Sequence, residues 1–319
     1  DDVEKYVKGG YLQALDDFSA IHCVNEHFLE KFKILNGTYV LPLSVNYRGI
    51  FYNKGMLEAD GYQIPSTYAE LIVTMEQIKK AGKLPIIFAD KDGWTTHQGW
   101  DAIDMSSRGS QDDLIQKVLN GDRVINEDSI ALDSTRKFLE IRKYGQKQTI
   151  NTGYDEAVKK FANGEAYMFI QGNWAYPIIK KINPDIDLLF MPFPTDKKDG
   201  EKVVVKIDAV LGVSASCKHL EAAEQFLDYV VSKNVSEYYA DKAGAYSCIK
   251  SVDITDHYAN AFTDSISKGD FFLEEFAYES DKSDEINTLF QKLISSTQKV
   301  TEESFLKELN DLLILQKGD

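Results

Sequence analysis

The chain has 319 residues, 43% of them apolar, so it can fill the cores of two domains of about 150 residues each. Its formal net charge of −15 and its lack of a clustered Lys/Arg stripe exclude the basic surface that nucleic-acid binding requires. No stretch approaches the roughly 18 uninterrupted apolar residues of a membrane-spanning helix, and three widely spaced cysteines imply no disulfide framework.

A strand, helix and strand pattern occupies the first third of the chain. The run 50–52 is strand-like. Thr67 and Glu70 have the spacing of a capping box, which predicts the start of a helix, and Gly82 predicts its end. The short apolar run 84–88 then predicts a buried strand.

The stretch 89–101, ADKDGWTTHQGWD, follows that strand and contains two of the three tryptophans. Its acids suggest a calcium loop that begins at Asp90. Counted from Asp90, however, Trp94 occupies the fifth position, where an oxygen ligand is required, and glycine falls at the fourth position instead of the sixth. The sequence therefore predicts a loop containing Asp92 and Trp94 beyond the strand's carboxyl end, where open α/β sheets bind ligands. Trp100 is expected to pack within the helix that follows.

A second unit repeats this order. Asp155 is the predicted cap of a helix that ends near Gly164, and a strand over 166–170 follows directly. Asn173 is the predicted cap of the next helix. Trp174 therefore also lies beyond the end of a predicted strand.

The remaining pattern completes an α/β class with a helical C-terminal tail. Strands are predicted around 186–193 and 203–213, and Thr301 is the predicted cap of a helix in the tail. The extended segments 40–45 and 206–212 are candidate crossings between two domains.

Four stretches occur in an order and spacing that match one known family. They are VLPLSVNYRGIFYNKGML (40–57), IPSTYAELIVTMEQIKKAGKLPIIF (64–88), EAVKKFANGEAYMFIQGNWA (156–175) and AVLGVSASCKHLEAAEQFLDYVVS (209–232). Together they resemble the extracellular solute-binding proteins of ABC importers, the large family that includes the maltose/maltodextrin-binding protein and many oligosaccharide binders.

The resemblance implies a two-lobe, periplasmic-binding-protein-like fold that closes on a ligand in the cleft at its hinge crossings. Lobe one would hold residues 1–42 and 207–275, and lobe two would hold 43–206 and 276–319. About 100 residues of the family's first lobe, the size of a small domain, have no counterpart before residue 10. The resemblance also implies a location outside the cytoplasmic membrane, as a lipid-anchored or periplasmic protein.

Seven residues are candidates for ligand contact, because they combine aromatic faces that stack on a sugar with polar groups that meet its hydroxyls. They are Trp174, Trp94, Asp92, Asn46, Tyr47, Asp208 and Tyr246. The resemblance matches Trp174 to the tryptophan of the family's G-x-W motif, which lies under the sugar, with a buried packing role as the alternative. It matches Trp94 and Asp92 to an aromatic and an acidic ligand contact, with an exposed turn as the alternative.

Three of the other four candidates lie near the predicted crossings. Asn46 and Tyr47 align with a polar contact at the first crossing, with ordinary strand packing as the alternative. Asp208 lies among valines at the second crossing, and because an acid is costly to bury there, it is assigned a polar role in the cleft. Tyr246, just after Gly244, is a further candidate. Acids outnumber bases among these candidates, which disfavours an anionic ligand.

The sequence thus predicts a non-enzymatic, carbohydrate-binding component of an ABC importer. It would act as a monomer, with the permease subunits as partners and without a cofactor or metal. The catalytic signatures G-x-S-x-G, H-E-x-x-H and G-x-x-x-x-G-K do not occur. Two alternatives stay open: a sugar-active enzyme, suggested by the same aromatic and acidic residues, and a binder of another solute such as a polyamine, a glycerol phosphate or a peptide.

Overall fold

The computed structural model describes residues 2–30, 33–108, 114–252, 257–274, 280–295 and 300–315. Its helices are α1 (Asp2–Lys8), α2 (Glu26–Leu29), α3 (Lys54–Ala59), α4 (Tyr68–Lys80), α5 (Gly93–Ser107), α6 (Leu114–Asn120), α7 (Ser129–Ile141), α8 (Tyr154–Ala162), α9 (Ala175–Ile182), α10 (Leu220–Val230), α11 (Lys233–Ala243), α12 (Asn260–Ser267), α13 (Ser280–Ser295) and α14 (Glu302–Leu315). Its strands are β1 (Lys33–Ile34), β2 (Gly37–Thr38), β3 (Val40–Asn53), β4 (Ile86–Ile87), β5 (Met168–Gly172), β6 (Leu188–Met191), β7 (Val204–Gly212), β8 (Tyr246–Ser247) and β9 (Phe272–Glu274). The predicted α/β class and helical tail are confirmed.

The strand β3 belongs to both halves of a seven-stranded sheet, counted over the described residues. Its residues 40–47 pair antiparallel with β7, and its residues 48–53 pair antiparallel with β5 and β6. Beyond these, β9 runs parallel to β7 and β4 runs parallel to β5. The change of partners between Tyr47 and Arg48 is a crossing inside an unbroken strand, and it lies later than the predicted lobe boundary after residue 42.

The second crossing is the connection from β6 to β7, residues 192–203. It ends just before the predicted boundary after residue 206. The third predicted boundary, after residue 275, lies outside the described residues. The division into lobes therefore stays a prediction.

Local signals account for both ends of α4. The Thr67 hydroxyl accepts the Glu70 backbone N–H at 3.3 Å, so this side of the capping box is confirmed. Gly82, at φ +75°, follows α4 in the left-handed region that favours glycine. The Asp155 prediction was wrong: the N-cap of α8 is Gly153, two residues earlier, so Asp155 lies in the first turn of the helix.

Both faces of β3 are buried in its second half. Ile50 and Tyr52 pack on one face in a cluster with α4, α5, α7 and the C-terminal helices α13 and α14. Phe51 packs on the other face, where its ring stacks on Phe190 with the ring centroids 4.0 Å apart. A strand covered on both faces reads as a continuous apolar run, which explains the sequence IFY at 50–52. The helical tail therefore packs beside α5, on the same side of the sheet.

Candidate functional site

A cavity of about 260 Å³ lies where β3 and β7 pass the helix α5. Strand alternation decides which side chains form its floor, because successive residues of a strand point to opposite faces. Asn46 is paired with Lys206 across the two strands, and Arg48 lies two residues further along β3. These three side chains line the cavity, together with Asp208, which lies where the register of the two strands shifts.

The opposite face of these strands is core. Tyr47 and its cross-strand partner Val205 are each 1% exposed. The Tyr47 ring stacks on Phe262 with the centroids 4.4 Å apart. For Tyr47 the structure therefore favours ordinary strand packing over ligand contact, although part of this residue borders the cavity.

Asp208 borders the cavity but is an exposed residue, so the argument from a buried acid was wrong. Its carboxylate accepts a hydrogen bond from the Ser44 hydroxyl at 3.1 Å. A carboxylate held in this way keeps further lone pairs for a hydroxyl of a ligand.

The helix α5 supplies the facing wall. Gln98, Ala102 and Met105 line the cavity, and their spacing of four and three residues places them on one face of the helix. Gln98 Oε1 is buried and has no hydrogen-bond partner among the described residues. A buried unpaired acceptor of this kind costs about 1–3 kcal/mol, so it marks a place where a ligand donor would be favourable.

Trp174 stands at the edge of the cavity, at the N-cap of α9. Its ring lies directly over Gly172, the last residue of β5: a Cβ atom at position 172 would be 2.0 Å from Trp174 Cζ3. The glycine of the G-x-W sequence is thus required by the close approach of the ring to the backbone. The predicted position of Trp174, beyond a strand end, is where the structure places it.

Trp94 lies next to Trp174, with the ring centroids 6.2 Å apart and the planes at 52°. It also contacts Tyr154, at 5.1 Å between centroids. Trp94 is outside the cavity lining, and the predicted loop around it was wrong, because α5 begins at Gly93 and Trp94 lies in its first turn. Trp100 is buried in the same helix and its Nε1 donates to the Thr135 hydroxyl at 3.0 Å.

Three other predicted positions have structural partners. The Asp92 carboxylate, outside the cavity lining, accepts the backbone N–H of Tyr154 at 2.6 Å and so ties α5 to α8. Tyr246 is paired with Val45 in the sheet and also lies outside the lining. Asn173 was predicted to cap α9, but its side chain bonds elsewhere and Trp174 takes the N-cap position.

The charges around the cavity differ from the expectation. The described lining residues include three bases, Arg48, Lys202 and Lys206, and one acid, Asp208. Arg48 Nη1 lies 3.4 Å from the carboxylate of Asp101, which is buried beneath it on α5. The predicted excess of acids therefore does not hold for the cavity itself.

His97 lies beside this ion pair and stays neutral. Burial lowers its pKa to about 3, and the positive charges of Arg48 and Lys206 act in the same direction. Its Nδ1 lies 2.7 Å from the side-chain oxygen of Asn287 on α13, to which a neutral imidazole donates. The helical tail is thereby linked to the wall of the site.

Sequence reasoning missed Arg48, Gln98 and Lys206. The alternation of polar and apolar residues in SVNYR, residues 44–48, was the signal that could have found Arg48. Across the part of the chain that the structure describes, no three His, Cys, Asp or Glu side chains converge as a metal site. In that same part, none of the helices has the length and apolarity to span a membrane.

Residues 1–236 match the family described as bacterial extracellular solute-binding protein. Among curated proteins, the multiple sugar-binding protein of Streptococcus mutans is 28% identical over 261 residues, which covers 79% of this chain and 61% of that protein. The chain thus spans about three fifths of the length of this relative.

Solved structures give the same fold. The solute-binding protein RafE in complex with raffinose has a TM-score of 0.85 at 22% identity, covering 99% of this chain and 83% of that one. A chitin oligosaccharide binding protein has a TM-score of 0.82 at 21% identity, covering 99% and 81%. These likenesses confirm the predicted two-lobe α/β fold.

Proposed function

The chain belongs to the bacterial extracellular solute-binding proteins, and on that premise we propose that it binds a carbohydrate in the cavity between β3, β7 and α5. The observation that carries the proposal is the Trp174 ring at the edge of a cavity whose walls present amide, ammonium and carboxylate groups. An aromatic face and a few placed polar groups are what recognition of a sugar requires. The names of its relatives, which include sugar-binding proteins, support the same ligand class.

The size of the cavity limits what it can enclose. At about 260 Å³ it is slightly below the roughly 300 Å³ at which small-molecule pockets usually begin. We infer that it holds one end of an oligosaccharide, with Trp174 under one ring and further units extending out of the cavity. Gln98 Oε1 would accept a hydrogen bond from a hydroxyl of the enclosed sugar unit, and Asn46 and Lys206 would donate hydrogen bonds to other hydroxyls.

The charges of the lining bear on the alternatives. Glycoside hydrolysis uses two carboxyl groups flanking one bond, whereas Asp208 is the single carboxylate among the described lining residues. A sugar-active enzyme is therefore less well supported than a binding protein. A polyamine would be repelled by Arg48, Lys202 and Lys206, so that alternative is also disfavoured.

Delivery to an ABC importer completes the proposal, and it is supported by two curated relatives that are named as ABC transporter extracellular-binding proteins. Closure of the two lobes on the ligand would present a different surface to the permease subunits, so that binding and docking share one conformational equilibrium. The protein would work outside the cytoplasm as a monomer and without chemical change to the ligand.

Calorimetric titration with raffinose, stachyose and chitin oligosaccharides tests the proposal. We expect at least one of them to bind, and Trp174→Ala to weaken that binding by about tenfold or more, equivalent to ~1.4 kcal/mol. Tyr238→Ala is the matched control, because this tyrosine is 66% exposed on α11 and outside the cavity lining. Failure of every sugar, with tight binding of a non-carbohydrate solute, would contradict the proposal.

A further inference from the structure

Asn173 occupies the junction between the two halves of the sheet, and its side-chain amide is fully used there. It is 0% exposed. Its Oδ1 accepts the backbone N–H of Tyr47 at 2.8 Å, and its Nδ2 donates to Asn46 Oδ1 at 3.2 Å and to the Gly244 carbonyl at 2.5 Å. Its own backbone N–H donates to the Tyr47 carbonyl at 3.1 Å. Among side chains of this size, only an amide accepts one such bond and donates two.

The partners of Asn173 come from separate parts of the fold. Asn46 and Tyr47 lie where β3 changes its strand partners. Gly244 ends α11 in the left-handed region, at φ +64°. A Cβ atom at position 244 would lie 2.6 Å from Pro177 Cδ and 2.9 Å from the Asn173 carbonyl oxygen, so α11 ends directly against the start of α9. One side chain thus joins the end of β5, the crossing in β3 and the end of α11.

We propose that Asn173 is a positioning residue for the ligand site, acting through Asn46 and through Trp174. The proposal rests on the proposed function for the identity of the ligand. Because Asn46 Oδ1 is engaged by Asn173, Asn46 offers a ligand its amide N–H groups. Trp174 follows Asn173 in the chain, so the bonds that fix the Asn173 backbone also fix the direction in which the tryptophan leaves the strand.

Two substitutions separate the bonds. Asn173→Asp keeps the acceptor for Tyr47 N–H but places a carboxylate oxygen against Asn46 Oδ1 and the Gly244 carbonyl. Asn173→Leu is close in size and removes all three side-chain bonds. Asn163→Asp is the control, since it makes the same chemical change at an exposed asparagine after α8.

A double-mutant cycle on affinity for raffinose, or for whichever sugar of the panel binds, tests the coupling to Asn46. We expect Asn173→Asp to weaken binding about tenfold in the wild-type chain and less than about threefold when Asn46 is already alanine. Asn163→Asp should leave affinity unchanged. Wild-type affinity in Asn173→Asp would overturn the proposal, and an equal loss in both backgrounds would overturn the part of it that acts through Asn46.

A second measurement needs no ligand. Hydrogen exchange at the Tyr47 amide should be fast in Asn173→Leu and remain slow in Asn173→Asp, with both variants folded by circular dichroism. Wild-type exchange in Asn173→Leu overturns the proposal whether or not a sugar binds. If no sugar binds and exchange behaves as expected, the proposed function fails while the structural role of Asn173 stands. Should the leucine variant not fold, fast Tyr47 exchange in the folded aspartate variant would overturn the assignment.

Discussion

Replacing Gly172 by alanine perturbs the site through one methyl group. An added Cβ would lie 2.0, 2.1 and 2.4 Å from Cζ3, Cη2 and Cε3 of Trp174, whereas ordinary contact begins near 3.4 Å. The ring must therefore move by roughly 1.4 Å or tilt away. The backbone of Gly172 lies outside the left-handed region, so alanine meets no conformational obstacle there, and the three atoms nearest to its Cβ all belong to the tryptophan.

The magnitude follows from what the displaced ring loses. Overpacking of this kind costs about 1–3 kcal/mol of unfolding free energy. A ring displaced by more than 1 Å no longer stacks in register on a sugar, and stacking contributes ~0.5–1.5 kcal/mol beyond the area it buries. We therefore expect about tenfold weaker binding of the sugar in calorimetry, with a change in tryptophan emission, because Trp94 lies 6.2 Å from Trp174.

Gly55→Ala is the matched control for this substitution. A Cβ atom at position 55 would meet its nearest neighbour, Asp187 Cβ, at 3.5 Å, which is ordinary contact, and Gly55 lies outside the cavity lining. Its affinity and emission should follow the wild type. The reasoning is refuted if Gly172→Ala retains both wild-type affinity and the wild-type emission spectrum.

Three further substitutions test the surroundings of the cavity. His97 has a pKa of about 3 in the fold and about 6.5 when unfolded, so it takes up its proton mainly on unfolding and wild-type stability falls as pH drops below about 6.5. In urea titrations at pH 5, His97→Gln should remove about 2 kcal/mol of that loss. An unchanged dependence of stability on pH would contradict this. Gln98→Leu removes a buried unpaired oxygen, so the melting temperature should stay the same or rise while sugar affinity falls about tenfold. A lower melting temperature would show that the oxygen is paired in solution. Arg108, whose side chain is 3% exposed, forms ion pairs with the carboxylates of Asp104 and Asp128. Arg108→Met should therefore lower the free energy of unfolding by about 3–5 kcal/mol. A loss below about 1 kcal/mol would mean that these acids are protonated or hydrated in the variant.

The position of Trp174 could be predicted because the signals around it are local. A helix, the stop at Gly164, a strand and a tryptophan follow one another within 20 residues, and the observed β5 ends two residues before the ring. The capping pair Thr67 and Glu70 is equally local, and its helix was predicted to within a residue. Short-range hydrogen bonds decide such elements, so their residues are visible in the sequence.

The α5 wall could not be predicted because its contacts come from distant residues. Asp92 resembles a loop acid until its partner, the Tyr154 backbone N–H, is known. Gln98 has no distinguishing neighbours in sequence, and only the passage of β3 and β7 beside α5 makes it part of a site. Asp208 was misjudged for the same reason, since surrounding valines indicate a strand but not which residues the neighbouring elements leave uncovered.

The unbroken course of β3 through both halves of the sheet has a consequence for insertions, deletions and sensor engineering. Side chains alternate along a strand, so deleting one residue between Val40 and Tyr47 would exchange the cavity-facing and core-facing side chains in the half of β3 that pairs with β7. If that half kept its register, the deletion would instead shift the register of the other half against β5 and β6. The other crossing carries no such constraint at its exposed turn, residues 196–199. A reporter domain that is to respond to lobe movement is therefore best inserted in that turn, with the length of β3 left unaltered.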